Sequence, residues 1–221
     1  MKSIAHLGMA ILSLFAYANL AFSATPGSYL GAGLGKTQLS TPDEYLFNVN
    51  GGANGTTSKK RDGMGGRAFA GYNFNEYLGI EAGVTHYAKS KYSASLNHST
   101  SSLEYSMNAI DLVAKTYLPF GDKRFNVYAL GGMAAVNHDV QYKNGGIPFV
   151  SDFIAPGHGT KSKPKIRPIY GVGVGYDIPK SRFTASMELT RIQGLGDVTT
   201  NNNAMPPANM VAFSLTYNFG S

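Results

Sequence analysis

Five ionisable residues, Arg67, Glu81, Asp111, Lys115 and Glu188, stand in stretches otherwise built from small, apolar and hydroxyl side chains. Charges of both signs in such surroundings suit an ion-pair network that holds a polar interior together, or a gate whose pairs exchange to admit ions. Catalysis asks for other constellations. The chain has no cysteine, which removes thiolate nucleophiles, thiolate metal sites and disulfides together. His86 has no serine partner at two-residue spacing, His138 is followed two positions later by Val140, and His98 and His158 fall in segments that read as loops. No histidine or carboxylate cluster has metal-ligand spacing, so neither a metal nor a cofactor is expected. A second group is basic: Lys59, Lys60 and Arg61, then Lys89 and Lys91, then Lys161, Lys163 and Lys165. No aromatic platform interleaves with them, so nucleic-acid binding is not expected.

The elements that position these residues follow from composition and period. The chain has 221 residues, 43% hydrophobic and 14% charged, which suits one domain and excludes disorder. Mean hydropathy is −0.13 and glycine reaches 27, so a bundle of membrane helices is excluded. The net charge of +6 leaves acidic partners open and decides nothing alone. Residues 1–23 read as a cleaved signal peptide, with Lys2 ahead of an apolar run from Ile4 to Phe22 and small residues at Ala21 and Ser23. The mature chain, 24–221, then enters the periplasm.

From Ser28 onward the repeating pattern is alternation. Val211, Phe213, Leu215, Tyr217 and Phe219 share one face, opposed to Ala212, Ser214, Thr216 and Asn218. Tyr170, Val172, Val174 and Tyr176 oppose Gly171, Gly173, Gly175 and Asp177 in the same way. A face of glycine and hydroxyl residues is too small to form a solvated exterior, and suits a narrow interior. The polarity is inverted relative to a soluble barrel. The expected fold class is therefore all-β: an eight-stranded antiparallel up-and-down transmembrane β-barrel. Its strands are expected near Ser28–Leu39, Gly65–Phe74, Tyr77–Ser90, Leu103–Pro119, Arg124–Gln141, Ile166–Ile178, Arg182–Gln193 and Asn209–Phe219. Short turns alternate with long connections at Ser40–Met64, Lys91–Ser102, Tyr142–Lys165 and Gly194–Ala208, which places the long loops outside the cell and the short turns in the periplasm.

Arg67, Glu81, Asp111, Lys115 and Glu188 fall on the inward register, with Glu81 and Lys115 at similar depth on neighbouring strands. At about 4 Å and an effective dielectric near 20 such a pair attracts by about 4 kcal/mol, against several kcal/mol of desolvation per ion. Pairing is a condition for keeping these charges inside. The basic residues fall on the long-loop side, where they face lipopolysaccharide phosphates in the outer leaflet, or acidic polysaccharide or protein on a host surface.

Tyr29-Leu30-Gly31-Ala32-Gly33-Leu34-Gly35, the run from Ala68 to Gly83, Ala114-Lys115 with Pro119, Leu195-Gly196-Asp197 and Leu215-Thr216-Tyr217-Asn218-Phe219-Gly220 resemble the transmembrane domain of the outer-membrane protein A family. The resemblance covers most of the mature chain, strands better than loops. It implies an integral outer-membrane protein whose interior charges act as a plug or gate, with Glu81, Lys115 and Glu188 on matching positions. Positions that often carry further charges hold Ala129, Gly175 and Ser186 here. Family members often continue into a periplasmic peptidoglycan-binding domain; this chain ends at Ser221, so cell-wall attachment is not implied. The expected function is a monomeric, mainly structural barrel with surface loops for contact or adhesion. A small ion-conducting pore is the first alternative, in which Lys115→Ala raises conductance. A lipid A-modifying enzyme is the second.

Overall fold

The computed structural model describes residues 24–39, 56–60, 62–96, 99–119, 124–143, 160–161, 164–194 and 207–219. They form ten strands: β1 (Gly27–Leu39), β2 (Thr56–Lys60), β3 (Asp62–Asn73), β4 (Leu78–Leu96), β5 (Ser99–Pro119), β6 (Phe125–Lys143), β7 (Thr160–Lys161), β8 (Lys165–Asp177), β9 (Phe183–Ile192) and β10 (Ala208–Asn218). Eight are long and pair antiparallel with their sequence neighbours, and β10 returns to β1 through eleven register pairs from Tyr29↔Asn218 to Leu39↔Ala208. The sheet is closed. Every strand of the barrel therefore has two neighbours, and the backbone exposes no unpaired edge to lipid.

The alternation seen in the sequence becomes two surfaces. Leu30, Leu34, Val84, Ile110, Leu112, Val172, Val174, Leu189, Phe213 and Leu215 project outward over the middle of the wall. On the short-turn side the exterior turns aromatic, with Tyr72, Phe74, Phe125, Phe183 and Phe219 exposed. Several pair edge to face, as Tyr72 does with Phe74 at 5.5 Å and Phe183 with Tyr217 at 5.3 Å. Such a girdle sits at a membrane–water interface, where rings meet headgroups. The turns there are tight for local reasons: the Asn75 side-chain oxygen accepts hydrogen bonds from the backbone N–H groups of Tyr77 and Leu78, both at 2.8 Å.

The opposite end departs from expectation. The segment from Lys91 to Ser102 is mostly strand, because β4 runs on to Leu96 and β5 starts at Ser99. Short β2 pairs with this extension and short β7 pairs with β6. Alternation continues past the hydrocarbon through Lys91, Tyr92 and Ser93, so the sheet has no reason to stop there. A register shift between Tyr87 and Ser90 marks where the projecting part begins. The basic residues are accordingly not all on loops: Lys60, Lys89, Lys91 and Lys165 lie on strands. Lys59 and Lys161 are strand residues whose side chains lie outside the described set, and Arg61, Lys163, His98 and His158 fall outside the described residues altogether.

Candidate functional site: the lumen charge cluster

Closure brings together side chains far apart in sequence. Arg67 on β3, Glu81 on β4, Asp111 and Lys115 on β5 and Glu188 on β9 all point inward and are all buried. Arg67 is the hub. Its Nη2 donates to Asp111 Oδ1 at 2.6 Å, and its Nη1 donates to Glu188 Oε1 at 3.1 Å. The same Nη1 lies 2.9 Å from Glu81 Oε1, an ion pair without hydrogen-bond geometry. Lys115 Nζ donates to Glu81 Oε2 at 2.7 Å and lies 3.3 Å from Glu188 Oε2. Two cations are thus shared among three carboxylates, and each carboxylate touches at least one of them.

Hydroxyls and rings complete the shell. Tyr29 donates to Glu81 at 3.0 Å and Tyr128 to Glu188 at 3.1 Å. Lys115 Nζ stands 4.7 Å from the centre of the Tyr128 ring and 5.4 Å from that of Phe69, and the Arg67 guanidinium carbon 5.3 Å from the latter. Desolvated cations gain from such ring faces, on the order of 1–2 kcal/mol each. The inward glycines make room for this. A Cβ on Gly83 would fall 2.7 Å from Arg67 Nη2, and one on Gly173 would fall 2.3 Å from the Tyr128 ring. Glycine on the inner face is therefore a requirement of large neighbours on adjacent strands.

Below the cluster lies a cavity of about 40 Å³, lined by Tyr29, Asn73, Glu81, Lys115, Asn126 and Ser186 among others. It has room for a few waters. Above the cluster the lumen changes character. Leu39, Tyr87, Met107, Val136, Ile169, Ile192 and Met210 point inward and are each at most 3% exposed. With Thr37 and Thr190, which stand in register with Met210, they form a mostly apolar layer above the cluster. Sequence reasoning missed it, because β4 to β6 carry apolar residues on both faces and a period of two cannot say which face is the core. Positions carried over from the family fare unevenly: Gly175 and Ser186 line the cavity, but Ala129 is exposed on the outer wall, and the inward neighbours on its strand are Tyr128 and Leu130.

The two described histidines, His86 and His138, stand apart from the lumen cluster. His86 faces outward, and its Nδ1 is 2.6 Å from Asn108 Oδ1. Among the described residues no group of three His, Cys, Asp or Glu has a geometry that holds a metal. His138, above the hydrocarbon on β6, stacks on Tyr105 at 5.5 Å with 11° between the planes. Burial and the positive charges of Lys165 and Arg167 hold its imidazole below the ordinary histidine range, against an opposing pull from Asp139. The unfolded chain then binds this proton more readily than the folded one. The stability carried by His138 is whole above the unfolded-state pKa and is lost as pH falls through the folded-state value. An NMR titration of the ring should find its midpoint below that of the same residue in the denatured chain; an equal or higher midpoint would contradict the packing.

The family model described as OmpA-like transmembrane domain matches residues 24–221. An uncharacterized protein of Coxiella burnetii (strain RSA 493 / Nine Mile phase I) is 32% identical over 181 residues, covering 74% of this chain and 71% of its own length. Outer membrane protein A of Serratia marcescens is 30% identical over 194 residues, which is 87% of this chain but 49% of that relative. The chain thus spans about half the length of that longer protein. In fold, it is similar to Neisserial surface protein A (NspA), with a TM-score of 0.55 at 15% identity over 89% of this chain and 99% of the other.

Proposed function

Because the chain belongs to the OmpA-like transmembrane domain family and so to the outer membrane, we propose that it is a closed barrel with a mainly structural role, whose projecting strands and loops make surface contacts. The filled lumen carries this reading: a charge cluster with every ion within pairing distance lies beneath an apolar layer from Leu39 to Met210. A side-chain-filled eight-stranded interior is a core that stabilises the wall. We further propose that residues 1–23 are removed on export; N-terminal sequencing of the membrane-borne protein should begin at Ala24.

The test is conductance in planar bilayers. The wild-type protein is expected to leave the membrane at its background current. The apolar layer also alters what Lys115→Ala should do, because removing one cation beneath it, with Glu81 and Glu188 still on Arg67, opens no path through Met107 and Met210. That variant is expected to stay closed, while Lys115→Ala combined with Met107→Ala and Met210→Ala conducts. Steady current through the wild type, or through Lys115→Ala alone, would favour the pore reading instead. A catalytic reading has less to stand on, since the partner of outward His86 is Asn108; the acylation state of lipid A with and without the protein tests it. For contact with acidic polysaccharide, binding of a soluble sulfated glycan should weaken as salt is raised.

A further inference from the structure

We propose that the chain plugs its own lumen from the short-turn side: residues 24–26 fold into the inner mouth of the barrel, and the α-ammonium group created at Ala24 on removal of the signal peptide binds there as the positive charge the lumen is short of. This rests on the removal of residues 1–23 proposed above and on no other part of the functional reading.

The backbone delivers the segment to the mouth. Gly27 opens β1 with a φ of 118°, a conformation that residues with a side chain rarely adopt, so the chain bends there instead of continuing the line of the strand. The bend leads inward: Ala24 and Thr25 both line the cavity beneath the charge cluster, and Ala24 is only 8% exposed. A trailing terminus would be open to solvent. This one is held, because Asn73 Nδ2 on β3 donates to the Thr25 carbonyl at 3.0 Å. Just past the bend, the Ser28 carbonyl accepts from the Phe219 N–H at 2.9 Å, which fastens the start of β1 to the closing strand.

Charge and hydrogen bonding say what the mouth lacks. Among the described residues below the apolar layer, the inward cations are Arg67 and Lys115, whereas the inward carboxylates are Glu81, Asp111, Glu188 and Asp177. Asp177 is half-buried and lines the same cavity as Ala24. Its Oδ1 accepts from the Thr184 hydroxyl at 2.5 Å, and no lysine or arginine among the described residues lies within ion-pair distance of it. Asn73 Oδ1 and Asn126 Oδ1, on two buried side chains of the cavity wall, have no hydrogen-bond partner. Unmet acceptors in a region of excess negative charge call for a cation that carries several N–H groups. An α-ammonium group has three and is charged at neutral pH, its ordinary pKa being about 8. The Thr25 anchor holds it one residue away from Asn73.

The charge cluster is then closed off on both sides, by the apolar layer above and by the chain's own start below. Export and completion of the lumen become linked. A precursor that keeps its signal peptide has an amide N–H at residue 24 where the processed chain has an ammonium group.

Because the chain has no cysteine, a single introduced thiol reports access to the mouth. Ser186→Cys stands in the cavity wall and Ser181→Cys, the control, on an exposed turn. In protein purified from the outer membrane, with folding verified by heat-modifiable migration, the Ser186→Cys thiol is expected to react slowly with iodoacetamide. Adding Gly27→Val, which forbids the bend, should speed that reaction about tenfold and leave Ser181→Cys unchanged. Equal Ser186→Cys rates would overturn the plug. Should Gly27→Val fail to fold, Asn73→Leu decides it, since it removes the Thr25 anchor at nearly constant volume. The pH dependence of α-amine acylation reads the charge: its midpoint should fall in Asp177→Asn, and an unmoved midpoint would overturn the placement of the ammonium group. N-terminal sequencing of the same sample separates the two readings. A start other than Ala24 would refute the cleavage site and the ammonium with it, whereas a start at Ala24 with an α-amine as reactive in the folded barrel as in urea would refute the plug alone.

Discussion

Arg67→Ala is expected to lower the stability of the folded barrel by about 3–5 kcal/mol, the range for removing one partner of a buried ion network. The size follows from the hub geometry. Arg67 touches Glu81, Asp111 and Glu188, so its loss leaves Lys115 as the single cation among three buried carboxylates. Asp111 suffers most, because its ion pair is with Arg67 while Glu81 and Glu188 keep Lys115. Arg67→Lys should recover little, since one ammonium group cannot span contacts made by two guanidinium nitrogens. Combining Arg67→Ala with Asp111→Asn should restore part of the loss by removing the orphaned charge. Urea titration of folding into lipid vesicles measures all three. A cost under about 1 kcal/mol for Arg67→Ala would mean that the carboxylates were being neutralised by something other than this arginine.

The second large effect lies on the opposite surface. Val174→Arg should cost about 1–3 kcal/mol in the same titration, between the penalty for a cation on the lipid face at the bilayer midplane and that at its interface. Val174 is 44% exposed, on the short-turn half of β8 just above the aromatic girdle, opposite Val127 and Met187 on the neighbouring strands. Val174→Leu, which keeps the side chain apolar, should be close to neutral. The pair of variants separates orientation from packing. If the leucine variant were as damaging as the arginine one, Val174 would be facing a packed core, and the outward assignment of β8 would fall with it.

These two positions differ in how far sequence could reach them. Val174 is legible, because β8 alternates large apolar residues with glycine, and only one face of that pattern can meet lipid. The same logic located the eight long strands to within four residues, except that β4 runs six residues past Ser90, and put Arg67, Glu81, Asp111, Lys115 and Glu188 on the inner register. Alternation did less well where both faces are apolar. Val84 and Tyr87 on β4, or Ile110 and Met107 on β5, look alike to a period of two, yet Tyr87 and Met107 seal the lumen while Val84 and Ile110 meet lipid. Loop composition also misled: serine, lysine and tyrosine around Lys91 suggest a connection, and cross-strand pairing with β2 and β5 made it sheet.

What the amino-acid order determined by itself was direction: on strands with one face of small residues, which side chains turn in and which turn out, and which end carries long connections. Periodicity is a local property, and a strand needs no partner to express it. Which inward charges meet was decided by closure and stagger alone, since these set the depth of each residue relative to strands far away in the chain. Arg67 and Glu188 are 121 positions apart, and no pattern near either one announces the other. The cylinder brings them within 3.1 Å because its circumference is small enough for a guanidinium on β3 to reach across to β9.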